Sequence, residues 1–188
     1  MPALTSAERF IATLQHNPAN AELLKRLPGL QLPQCLLTAG CLFQAVWNQQ
    51  ADKPAAWGVK DYDIFYFDTD TSWEAENAVI EAVKQLGADL GVELEVKNQA
   101  RVHLWYAQRF DRPYPQLQSA RDGVDRYLVA GTCVAIDVSS GEVYAPFGLD
   151  DIHNGLLRSN PNNHQPDLFL AKAQSYQQRW PWLQIVQP

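Results

Sequence analysis

Residues 61–67 open with polar and hydrophobic positions in alternation and continue as an apolar run. There Tyr62, Ile64 and Tyr66 point one way, and Asp61, Asp63, Phe65 and Phe67 the other. A repeat of two marks a β-strand, and residues 92–98 repeat it with Val92, Leu94 and Val96 opposite Glu93 and Glu95. Between them, Val79, Ile80, Val83, Leu86 and Leu90 recur at helical spacing, with Glu74, Glu76, Glu81 and Lys84 outside the apolar stripe. Thr71-Ser72-Trp73-Glu74 has capping-box spacing at the start of this helix, and Gly91 is its expected stop. A strand–helix–strand succession of this length commonly makes neighbouring strands of one sheet, though the pattern does not fix their direction.

Upstream, Thr5-Ser6-Ala7-Glu8 opens a helix carrying Phe10, Ile11 and Leu14. Asn17-Pro18 starts a second helix that buries Leu23, Leu24 and Leu27 and ends at Pro28-Gly29. Leu36 and Leu37 precede the small pair Ala39-Gly40, after which Leu42, Phe43, Val46 and Trp47 return to helical spacing. Downstream, Ser119 to Asp122 has capping spacing, and residues 132–145 read as a hairpin turning at Ser139-Ser140-Gly141. A helix opens near Asp150 and another runs over about 167–179, leaving Trp180-Pro181-Trp182-Leu183 as an aromatic docking edge. The expected architecture is one α/β (α+β) domain over 1–188, with N-terminal helices in 1–33 and a core in 34–110. The third part, 111–188, is helical with a hairpin, and a short mixed β-sheet is packed with helices throughout.

Composition narrows the function classes. With 188 residues, 46% hydrophobic and 19% charged, the chain can bury a substantial core. A net charge of −6 argues against a partner of extended nucleic acid, which needs a broad basic face. Three cysteines without a Cys-x-x-Cys pair suit a reducing cytosol and no zinc site. No signal-peptide pattern and no membrane-length apolar run is present, so the expectation is a cytoplasmic protein without membrane partners.

The candidate chemistry lies on the first strand. Alternation puts Asp61 and Asp63 side by side at the start of one face of a strongly apolar strand. Two acids there are costly unless a cation or hydrogen-bond donors neutralise them. Oxygen ligands on a strand suit Mg²⁺ or Mn²⁺, and the same pair also fits a solvated strand entrance. Either Glu93 or Glu95 could supply a third carboxylate. Gly40 allows close backbone approach, and a helix opening beside it would aim amides at a phosphate. Lys97, Arg101 and His103 are further groups able to bind phosphate or an acceptor, while Arg101 equally suits a structural pairing with a carboxylate.

Together, Ala39-Gly40-Cys41, Val59-Lys60-Asp61-Tyr62-Asp63-Ile64, the stretch from Glu95 to Trp105 and Ala145-Pro146-Phe147-Gly148-Leu149-Asp150-Asp151 resemble an uncharacterised bacterial nucleotidyltransferase-like family. That family lies within the DNA polymerase β-like superfamily, and the resemblance runs from about Pro33 to Trp182. It implies Asp61, Asp63 and Glu95 as catalytic metal ligands for Mg²⁺ (or Mn²⁺). Gly40, Cys41, Lys60 and Arg101 would be the nucleotide-binding residues. Cys41 stands where the superfamily usually has serine, and a thiol is the poorer phosphate donor. The implied reaction moves a nucleoside monophosphate from a nucleoside triphosphate to a hydroxyl acceptor: a small molecule, a protein or a nucleic-acid end. Two other readings stay open: a catalytically degenerate protein that binds nucleotide or a partner, and a metal-dependent sugar transferase, since Asp-x-Asp also serves those enzymes.

Overall fold

The computed structural model describes residues 4–186, and its first elements begin where their capping residues direct. Thr5 accepts from the Glu8 amide while Glu8 reaches back to the Thr5 amide, opening α1 (Ser6–Leu14). Asn17 caps α2 (Pro18–Arg26), whose first turn holds Pro18 without loss of a needed N–H. β1 (Leu36–Thr38) runs into α3 (Gly40–Gln50) with only Ala39 between them. Then come β2 (Asp61–Tyr66), α4 (Trp73–Leu86) and β3 (Glu93–Asn98).

The boundaries of α4 differ from the sequence expectation at both ends. Ser72 rather than Thr71 is the N-cap: Asp70 Oδ1 accepts from the Ser72 amide, and Ser72 Oγ accepts from Ala75. The helix closes at Gly87 rather than Gly91. A Cβ at position 87 would stand 2.5 Å from a Leu94 methyl, so any larger residue there would make that side chain of the returning strand shift. Glu76, expected outside the apolar stripe, is buried. It accepts from the Asn98 amide at 2.9 Å and pairs with Arg101.

Beyond β3 the chain forms α5 (Val102–Phe110), α6 (Ala120–Val124), the hairpin of β4 (Ala135–Asp137) and β5 (Val143–Tyr144), and α7 (Asp150–Asn154). β6 (Leu156–Leu157), α8 (Pro166–Arg179) and β7 (Gln184–Ile185) follow. The main sheet is mixed, in the order β3-β2-β1-β4-β5. β2 and β3 are parallel, the pairing a helical crossover permits, and the other neighbours are antiparallel. One face packs Tyr62, Ile64, Tyr66 and Val96 into the principal core with α1 to α3. The opposite face sets Leu36, Phe65 and Ala135 against Ala120 and Val124 of α6 in a smaller cluster.

The aromatic segment after α8 is core, not a docking edge. Trp180 is fully buried, and its indole Nε1 donates to Asn48 Oδ1 at 2.9 Å across 132 residues of chain. Its ring meets that of Trp47 edge-on, with centroids 5.3 Å apart. α8 lies against α3, so the apolar residues that follow it close the core. Among the described residues, no helix is long and apolar enough to cross a membrane.

Candidate functional site

Strand register builds the site. Thr38 of β1 stands opposite Asp63 of β2, and Asp63 stands opposite Glu95 of β3. Cross-strand partners share a sheet face, so a hydroxyl and two carboxylates form one row. Asp61 lies two residues earlier on the same face, opposite Glu93. Glu93 is exposed at the rim, whereas Asp61, Asp63 and Glu95 are partly buried and line one cavity of about 410 Å³. Burial pushes the Asp63 carboxyl up to about 7, and the charges of Asp61 and Glu95 add to the shift. Burial would also raise Glu95, but Lys97 and the neighbouring Asp63 hold it below the usual glutamate range. Lys97 Nζ lies 2.7 Å from Glu95 Oε1.

The cavity's other walls come from distant parts of the chain. Ala39 and Gly40 line it from the start of α3, and Lys172 and Tyr176 line it from α8. Ala39 takes φ 66° and ψ −144°, a conformation that glycine occupies with ease and alanine does not. Gln44, one turn into α3, is 7% exposed, and its Oε1 is buried without a hydrogen-bond partner among the described residues. Its Nε2 lies 2.5 Å from where a Cβ on residue 40 would stand, so the absence of a side chain at Gly40 lets this amide lie across the helix entrance. A second cavity, about 330 Å³, adjoins the first through Gln44, Asp61 and Lys172 and adds Lys60 and Arg179. The Arg179 guanidinium is steadied by the Gly58 carbonyl at 3.0 Å. Cations and helix amides thus gather at the Asp61 end of the strand, while at its middle Asp63 stands beside a Glu95 already paired with Lys97.

The residues marked out from sequence distribute unevenly. Asp61, Asp63, Glu95 and Gly40 come together, and Lys60 stands at the adjoining cavity. Cys41 does not reach the cavity: its thiol is fully buried and donates to the Thr38 carbonyl at 3.3 Å. Burial, followed by the Asp63 and Asp61 charges, drives that thiol well above the usual cysteine range. Arg101 is likewise elsewhere, paired with buried Glu76 and donating to the Thr71 carbonyl at 3.2 Å. It ties the loop after β3 to the first turn of α4. Sequence reasoning missed Lys172 and Gln44. Gln44 carried a signal, being the lone polar residue within the run Cys41 to Trp47. Lys172 carried none, since a lysine on a terminal helix reads as surface.

The donor set suits a hard cation. Three carboxylates face one space, and their mutual repulsion is what a divalent ion relieves. As the side chains stand, no group of three or more His, Cys, Asp or Glu among the described residues converges closely enough to hold a metal. Glu95 is turned to Lys97 instead.

A family model described as Nucleotidyltransferase matches residues 25–185. Among solved structures, one whose title reads "The NMR structure of the protein reveals a CCA-adding enzyme head domain" is similar, with a TM-score of 0.74 at 23% identity over 95% of each chain. That likeness concerns the fold. No curated protein matches the sequence.

Proposed function

The chain belongs to this nucleotidyltransferase family, and from that membership we propose that the carboxylate cavity transfers a nucleoside monophosphate from a nucleoside triphosphate to a hydroxyl. The observation that carries this reading is the row of Asp61, Asp63 and Glu95 along two parallel strands, with Asp63 pushed up to about 7 and a cation-lined cavity alongside. Asp61, Asp63 and Glu95 would be the residues to hold Mg²⁺ (or Mn²⁺). The bound metal supplies charge neutralisation of the phosphates and a lowered pKa for the acceptor hydroxyl. The first amides of α3 at Gly40 and the side chains of Lys172 and Lys60 hold the triphosphate tail, and Gln44 offers its amide beside them. Phe43 and Tyr176 give the donor's sugar and base an aromatic wall. In the reaction the acceptor oxygen bonds to the α-phosphorus and the bond to the pyrophosphate oxygen breaks. Glu95 would help polarise the acceptor hydroxyl, whose proton passes to solvent. Cys41 serves here as a packing residue and Arg101 as a brace, so neither touches nucleotide.

A second reading is favoured by one observation. Lys97 already neutralises Glu95, as it would in a protein that binds nucleotide and performs no chemistry. Calorimetric titration with each of the four nucleoside triphosphates, with and without Mg²⁺ or Mn²⁺, tests both. Wild type is expected to bind at least one in a metal-dependent manner, and Asp61→Asn/Asp63→Asn to lose that binding. A well-folded wild type that binds none of them overturns the transferase reading. Metal-independent binding, unchanged in the double variant, favours the degenerate one.

A further inference from the structure

On the carboxylate-bearing face, alternate residues of β2 and β3 mark three stations: Asp61, then Asp63 with Glu95, then Phe65 with Lys97. At roughly 3.3 Å per residue, the first and last are about 13 Å apart. The Asp61 station opens on the cavity of Lys60, Lys172 and Arg179. The Phe65 station opens on a separate cavity of about 230 Å³, set between α5, the loop after it and α6. The cavity shares Tyr106, Arg126 and Tyr127 with the carboxylate cavity, so what lies in one is a side chain's width from the other.

This third space is built of rings and cations. Tyr106 packs on Tyr114 with centroids 4.4 Å apart and on Phe110 at 4.7 Å, and Trp105 adds its ring to the wall. Arg126 lies over Tyr114 at 4.7 Å, and its buried Nε has no hydrogen-bond partner among the described residues. Neither Arg126 nor Arg112, which also lines the cavity, pairs with a carboxylate among the described residues; Arg112 instead donates to Gln165 Oε1 at 2.8 Å. In a chain of net charge −6, two arginines without acidic partners at one cavity are a local reversal of sign. An aromatic floor with a buried guanidinium N–H to spare suits a flat ring carrying negative charge. Its size decides how large: a cavity of roughly 150 Å³ holds benzene, and whole drug-sized ligands occupy about 300 Å³ or more.

We propose that this cavity is the acceptor pocket, and that the acceptor is a small anionic molecule with a single ring system, its hydroxyl passing Tyr106 toward Asp63 and Glu95. The proposal rests on the transferase reading for the word acceptor, and its geometry follows from displacement at phosphorus. The entering and departing oxygens lie roughly in line. Pyrophosphate is drawn toward Lys60 and Lys172 at one end of the strand face, so the hydroxyl enters from the other end, where the rings are. Acidic net charge and one-ring capacity both turn the pocket from a nucleic-acid strand toward a free small molecule.

Phenyl phosphate, which has the ring and the charge and no transferable hydroxyl, probes the pocket without any turnover. NMR titration is expected to shift the Trp105 indole N–H, with affinity about ten-fold weaker in Arg126→Gln, as loss of one charge-assisted bond implies. Phe110→Ala, at a side chain 47% exposed and so safe for folding, is expected to weaken binding as well. Asp61→Asn/Asp63→Asn is expected to bind the probe as wild type does, so failure of the carboxylate site and failure of this pocket are read separately. Persistence of the indole shift when saturating triphosphate and Mg²⁺ are added supports an acceptor pocket. Displacement of the probe by triphosphate overturns it, because the cavity then holds the donor's base. No indole shift, or a shift produced only by a single-stranded oligonucleotide, also overturns it.

Discussion

At the scale of single residues, Asp63 concentrates the consequences. Its carboxyl ionises near 7 in the folded chain and near 4 when unfolded. Between those values the unfolded state has released a proton that the native state keeps, so native stability falls as pH rises across the window. Without divalent metal, the urea midpoint of wild type is expected to drop between about pH 4.5 and about pH 7.5, and that of Asp63→Asn to drop less. A wild-type profile that matches the variant's would mean that Asp63 ionises freely. Ala39 is the second such residue. Its positive φ strains an L-residue at the entry to α3, so Ala39→Gly is expected to gain about 1 kcal/mol after allowing for glycine's looser unfolded chain. Equilibrium urea unfolding measures that gain, and a loss would show that the alanine methyl packs well enough to offset the strain.

At the scale of elements, what was legible in the sequence was local. Thr5, Asn17 and Ser119 declared their helices because a cap acts within one turn. Alternation over β2 and β3 put Asp61 and Asp63 on one face and Glu93 and Glu95 on one face. Which glutamate stands beside Asp63 depends on register, which alternation does not carry: the parallel pairing sets Glu95 opposite Asp63 and Glu93 opposite Asp61, at the rim. Glu76 misled for the opposite reason, since helical spacing knows nothing of the loop that folds back over α4 and buries it; Arg101, given to nucleotide by resemblance, instead makes the structural carboxylate pairing that its sequence equally suited. Trp180 was hidden in the same way, because its burial depends on α3, more than a hundred residues earlier. Its removal is accordingly a core lesion. Trp180→Ala leaves Asn48 Oδ1 without its donor and opens a cavity beside Trp47, and is expected to cost about 4 kcal/mol in urea unfolding. A cost under about 1 kcal/mol would mean that the segment is peripheral after all.

At the scale of the whole molecule, the sheet divides labour between its faces. One face is occupied by the principal core, and the other carries the carboxylates Asp61, Asp63 and Glu95. A net charge of −6 conceals a local ordering, with Lys60, Lys172 and Arg179 at one end of the carboxylate row and Arg112 and Arg126 at the other. Composition gave the total and could not give this arrangement, which depends on α8 and on the loop after α5 returning to β2. The carboxylates and the lysine that faces them also differ in how they are assembled. β2, α4 and β3 form from neighbouring stretches of chain, whereas Lys172 arrives only when α8 closes a far longer loop onto α3. Long closures are slow in proportion to the entropy they remove. The nascent chain is therefore expected to pair β2 with β3, and so to set Asp61 and Asp63 beside Glu95, before Lys172 reaches them, so that the acidic row precedes the lysine that comes to face it.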